Sequence, residues 1–239
     1  MNRKNFLKTL GLGGLALATL KVLDACATDD GGAAATATDG SCAVSPSETA
    51  GPFPTISPAS LVATDITGGR TGIPLAIIIA VKNAGNNCNA LANAIVDIWH
   101  CDKDGNYSEY GGSGMQSTNY TAVHFLRGRQ TTNANGEVSF TSIFPGWYNG
   151  RATHIHVHIY TATGDSLLIT QIAFPEGSNS AVVQVNASSA NGYTKGMSGY
   201  TYNASDNVFS DDDADVEIAT LSGSVTSGYT LQHTINVSA

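Results

Sequence analysis

The chain has 239 residues, a formal net charge of −8 at pH 7 and only 11 Lys and Arg. So few cations, scattered along the chain, exclude a nucleic-acid surface, which needs clustered positive charge to meet phosphates. No internal repeat is visible, which excludes a solenoid or propeller array.

In chain order, residues 1–26 read as an address. Arg3 and Lys4 precede an apolar run, 10–23, too short to span a bilayer and flanked like an export signal. Leu23, Asp24, Ala25 and Cys26 close it in a pattern that resembles a bacterial lipoprotein box, whose cysteine is acylated. The start also resembles a twin-arginine signal, with Lys4 where the second arginine would sit. The expectation is an exported protein, periplasmic or on the cell surface, with a lipid anchor at Cys26. Residues 27–41 consist almost wholly of Ala, Thr, Asp and Gly. They cannot bury enough apolar surface to offset the entropy of ordering, so they read as a flexible tether. Residues 42–239 are left as one domain with a sizeable core.

That domain reads as almost entirely β. Runs at 75–81, 94–100, 138–143, 153–160 and 167–174 are rich in Ile, Val and aromatics and are separated by Gly, Asn and Asp turns. Helical periodicity is weak throughout, and many short strands in one domain predict a β-sandwich. After Cys26 the cysteines are Cys42, Cys88 and Cys101. Export makes one disulfide plausible, and the odd count leaves one thiol free. A strand over 94–100 separates Cys88 from Cys101, so Cys42 is expected to pair with one of those two.

The chemistry gathers at 144–158. Alternation at period two puts His154, His156 and His158 on one face of a strand, with Tyr148 and Arg151 just before it. His158 lies one step deeper and is expected behind the others or in the core. Upstream, a strand through Asp97 and Trp99 runs out through His100 into a Gly-Asn turn ending at Tyr107, well placed to face a cleft. Asp102, Asp104 and Asn106 have a calcium-loop look, but the sixth position lacks glycine and the twelfth lacks glutamate, which excludes that reading.

Tyr107, Tyr148 and the His154-x-His156 pair together resemble the intradiol ring-cleavage dioxygenases, the catechol and protocatechuate dioxygenase family. Further segments carry the same resemblance. They are Thr49-Ala50-Gly51-Pro52-Phe53, the stretch 125–132, the segment 169–174 with Gln171, and the late Asp206-Asn207-Val208-Phe209. The runs 96–102, 125–128, 150–158 and 206–209 resemble, within the family, its exported, single-domain members, and signal and tether stand where the intracellular catechol enzymes have a helical dimerisation segment. The resemblance implies a mixed-topology β-sandwich related in layout to transthyretin, with iron(III) held by Tyr107, Tyr148, His154 and His156. It also implies that substrate displaces Tyr148, that Arg151 stands beside the substrate, and that Gln171 lies in its pocket. Substrate would be a catechol-type aromatic, with O₂ as co-substrate.

The donor chemistry points the same way on its own. Phenolate oxygens are hard and anionic and suit iron(III), and imidazole binds iron in either state. Two phenolates reduce the metal's charge to +1, and a metal is what brings a phenol, of ordinary pKa about 10, to phenolate near neutrality. Arg151 would stabilise negative charge developing on a bound ring. A ring carboxylate would ask for a further cation, for which Arg127, Arg129 and Lys103 are the candidates. The competing expectation is a non-catalytic cell-surface β-sandwich that binds an aromatic or carbohydrate ligand.

Overall fold

The computed structural model describes residues 42–212 and 215–239. The expected signal and tether, with Cys26, lie outside the described residues. Two sheets are present. The first is antiparallel, in the order β4-β3-β6-β7, from Arg127–Thr131, Ile95–Trp99, His154–Tyr160 and Ser166–Ala173. The second is built on β1 (Pro74–Asn83), which pairs antiparallel with β2 (Asn89–Ala90) and β5 (Glu137–Ile143). On its other edge β1 runs parallel to β9 (Gly228–Val237), and β8 (Thr220–Ser224) closes that edge. The parallel pair makes the sheet mixed, as expected for the predicted sandwich. The five strands read from the sequence are all present, each within one or two residues.

The sheets meet through their apolar alternate positions. Ile77, Ile79 and Val81 of β1 are fully buried with Val96 and Ile98 of β3 and Ile155, Val157 and Ile159 of β6. Burying one such side chain contributes about 1.5–3 kcal/mol, and truncating Ile155 to Ala would cost about 2–5 kcal/mol. The odd positions of β6 therefore face the core, and His154, His156 and His158 face the other way. A short helix, α1 (Ala181–Asn186), was not signalled by sequence periodicity. It forms because the Ser180 side chain accepts from Val183 N, while Val182 and Val185 fix its inner face in the core. Cys42 pairs with Cys88, leaving Cys101 free and buried.

Candidate metal centre

Register across the antiparallel sheet sets out the centre. Trp99 of β3 lies opposite His156 of β6, which in turn lies opposite Gln171 of β7. The excursion from β3 to β4 brings Tyr107 back over this row, with its Oη 3.2 Å from His154 Nε2. The loop from β5 to β6 places Tyr148 Oη 3.4 Å from the same nitrogen, and His156 Nε2 stands 3.2 Å from it. The four predicted ligands thus converge on one point at the end of the sheet.

Each ring is held from behind. His154 Nδ1 lies 2.6 Å from Ala152 O, so that nitrogen carries the proton and Nε2 keeps its lone pair. His156 is held differently, by Trp99 stacked at 4.9 Å and 3° between planes. On its other side Gly51, at φ 68°, comes so close that a Cβ would stand 2.9 Å from His156 Cε1. Only glycine permits that approach at that backbone angle. Phe53 stacks on Tyr107 at 4.9 Å, and Gln116 clamps the Tyr107 backbone, accepting from its N at 2.6 Å and donating to its O at 2.8 Å.

Burial decides the electrostatics. It pushes the His154 imidazolium pKa down to about 3, with Arg151 adding to the effect, and holds His156 well below its usual range. Both imidazoles are therefore neutral, as a ligand must be. Burial raises the Tyr107 phenol well above its usual value, and Tyr148 adds to that. It raises Tyr148 too, against the opposing charge of Arg151. Among the described residues no three His, Cys, Asp or Glu side chains gather to hold a metal, so the phenols complete this donor set. Two neutral imidazoles and two acidifiable oxygens in a water-poor setting fit a hard trivalent cation, which would bring the phenols to phenolate.

Arg151 is fixed beside the ligands. Its Nε donates to Asp206 at 3.1 and 2.9 Å, and one terminal nitrogen donates to Gln171 Oε1 at 2.7 Å. Asp206, fully buried, also accepts from Ala152 N at 2.6 Å and Val208 N at 2.8 Å. Gln171 is completed by donating to Thr49 O at 2.8 Å. Its amide is engaged at both ends, so Gln171 orients Arg151 and ties the N-terminal segment to β7.

Other sequence-singled residues stand apart from the centre. His158 is on the ligand face but is neither core nor bonded to the ligands: it is half-buried and joins Ser166 Oγ and Tyr160 Oη, each at 2.7 Å. Buried His100 bridges Cys101 O and Ser142 Oγ, and Asp97 takes Arg129 in a two-toothed pair at 2.6 and 2.7 Å. Asp206, Gln116 and Trp99 were not assigned roles from the sequence. Asp206 is 55 positions from Arg151, and only its place in the 206–209 resemblance marked it.

Fold and site together define a buried Tyr₂His₂ centre on a β-sandwich with an adjacent guanidinium. Residues 59–206 match the family described as Dioxygenase, and the chain belongs to that family of intradiol ring-cleavage dioxygenases. An intradiol ring-cleavage dioxygenase from Tetranychus urticae is similar at 27% identity and a TM-score of 0.69, over 82% of this chain and 95% of that one. The dioxygenase domain of a dioxygenase–carbohydrate-binding fusion from Streptomyces sp. SirexAA-E shares the fold, at a TM-score of 0.56 and 22% identity over 81% of this chain and 97% of that one. Chlorocatechol 1,2-dioxygenase from Rhodococcus opacus is 32% identical over 103 residues, 35% of this chain and 37% of that protein. The chain therefore spans little more than a third of that curated relative.

Proposed function

We propose that this chain is an iron(III) dioxygenase that opens catechol-type rings between the two hydroxylated carbons, incorporating O₂ to give muconate-type products. The observation that carries the reading is the meeting of Tyr107, Tyr148 and His156 around His154 Nε2 within 3.2–3.4 Å. Tyr107, Tyr148, His154 and His156 would hold the iron. When bound, iron(III) accepts charge from the catecholate and so makes its ring reactive toward O₂.

The chain's own groups divide the remaining work. Tyr107 is sealed from solvent under Phe53 and stays in place. Tyr148 is partly exposed, so it is the phenol that can move aside for substrate and take a catechol proton. Arg151, held on two sides, presents a fixed positive charge to the ring as negative charge develops there. Family membership and the 27% identical Tetranychus urticae enzyme support this reading.

Export is part of the proposal. The signal-like start argues for it, and the Cys42–Cys88 disulfide suits an oxidising compartment. A lipid anchor at Cys26 rests on the Leu23–Cys26 pattern alone and is testable by mass spectrometry of the mature N-terminus. The function itself is tested by oxygen uptake with catechol and the appearance of an ultraviolet-absorbing ring-opened product. Iron-loaded protein that consumes no oxygen with any catechol would refute it.

A further inference from the structure

The charges around the centre bear on which catechols it admits, an inference that rests on the ring-cleavage reading above. Seven Lys and Arg lie among the described residues. The three candidates for meeting a ring carboxylate are all committed elsewhere. Arg127 donates to Phe53 O at 2.9 Å and Ser108 O at 2.7 Å, with Glu109 at 3.5 Å. Arg129 is paired with Asp97, and Lys103 Nζ stands 2.9 Å from Asp104. Of the others, Arg70 lies over the Phe125 ring at 3.8 Å, and Lys195 donates to the carbonyls of Trp147 at 2.6 Å and Asp104 at 3.0 Å. Lys82 belongs to the second sheet, opposite Ala90. Arg151 itself is compensated by Asp206.

Carboxyl groups, in contrast, gather on the Arg151 side without cations to match them. Glu217 is 2% exposed, and neither of its carboxyl oxygens has a hydrogen-bond partner. Burial and then Glu48, Asp212, Asp211 and Asp206 push its pKa up to about 8. Glu48, in the segment just before Thr49, is raised by burial and then by Asp211, while Arg151 opposes the shift. Geometry places them there: Glu48 N donates to Ile169 O at 2.8 Å and Ala173 N donates to Glu217 O at 2.9 Å, on either side of Gln171, the partner of Arg151, and Asp212 Oδ2 accepts from Glu217 N at 2.8 Å.

We propose that the centre selects by ring charge: it takes catechols whose ring substituents are neutral or cationic and discriminates against catechols bearing a ring carboxylate. A further anion would meet no uncommitted arginine and would add to the carboxylates already there, a like-charge juxtaposition that costs affinity.

The test compares catechol, 4-methylcatechol, 4-(2-aminoethyl)catechol and 3,4-dihydroxybenzoate on the iron-loaded protein. Anaerobic titration of the visible band gives a Kd for each, and oxygen uptake gives kcat/KM. We expect the benzoate to be weaker than 4-methylcatechol on the order of 10-fold or more in both, and the aminoethyl catechol to be at least as good. Glu48→Gln, outside the ligand set, should narrow the gap severalfold. A benzoate that binds as tightly as 4-methylcatechol, or a gap unchanged in Glu48→Gln, overturns the inference. The expected binding order without any turnover overturns the ring-cleavage reading and leaves the charge selectivity standing.

Discussion

The Nε2 atoms of His154 and His156 face each other at 3.2 Å. The proton on His154 sits on the other nitrogen, against Ala152 O, so a lone pair points at the facing ring. Tyr107 Oη, Tyr148 Oη and His156 Nε2 all compete for that one lone pair, whereas a cation at their meeting point would engage all four atoms at once. Iron should therefore stabilise the fold as well as equip it. At a thousandfold excess over Kd the gain is about 4 kcal/mol, or on the order of 10 °C in a domain of this size. Differential scanning of iron-loaded and chelated protein measures it, alongside iron per chain in His156→Ala. Full iron occupancy in that variant would remove His156 from the ligand set.

The two tyrosines should differ on substitution. Tyr107 is fully buried between Phe53 and the histidines, whereas Tyr148 is partly exposed on the last turn before β6. Purified iron-loaded protein should be red to burgundy from phenolate-to-iron charge transfer. Tyr148→Phe should shift the band and retain iron, and Tyr107→Phe should lose most of both. An unshifted spectrum in both variants would exclude phenolate ligation. A colourless protein after iron-supplemented expression would instead favour the aromatic- or carbohydrate-binding alternative.

Much of this was legible beforehand, for a physical reason. Period-two alternation is a local signal, so the strand carrying His154 and His156, and the face they share, could be read from 153–160 directly. The proposed ligand set came through resemblance, because four side chains from two loops and one strand leave spaced motifs. What local pattern could not show was how side chains distant in sequence are tied together. His158 shares the period of the ligands, yet it ends with Ser166 and Tyr160 because the convergence occurs at the other end of β6. Arg127 and Arg129 share one face of β4, yet their partners send one to Phe53 and Ser108 and the other to Asp97. The α1 helix was hidden because six residues are too few to establish a 3.6 period.

Asp206 gives a sharper test of how Arg151 is positioned. Four hydrogen bonds end on this buried carboxylate, two from Arg151 and two from backbone amides. Removing one member of such a pair strands a buried charge, so Asp206→Asn should cost about 3–5 kcal/mol of stability. It should also lower kcat more than it raises KM, with the charge-transfer band retained because no ligand is touched. The paired change Arg151→Met with Asp206→Asn, which leaves no charge stranded and keeps an amide oxygen for the backbone donors, should recover part of that stability without recovering turnover. Wild-type kcat in Asp206→Asn would show that Arg151 needs no such anchor.

Glu217 makes the stability of the protein depend on pH in a direction opposite to that of most carboxylates. Its folded pKa is pushed up to about 8 from an ordinary 4.5, by burial first and neighbouring carboxylates second. Below 4.5 the group is protonated in both the folded and unfolded chains and contributes nothing to the difference. Between there and about 8 the unfolded chain releases the proton while the folded chain retains it, so stability falls as pH rises. Above that window both states are ionised and the penalty is constant. Glutamine preserves shape and never ionises, so Glu217→Gln should match wild type near pH 4.5 and exceed it by up to a few kcal/mol near pH 8. Chemical denaturation of both proteins across that range gives the comparison. A difference independent of pH would mean that Glu217 is already ionised in the folded chain, with a partner among the neighbouring groups that neutralises it.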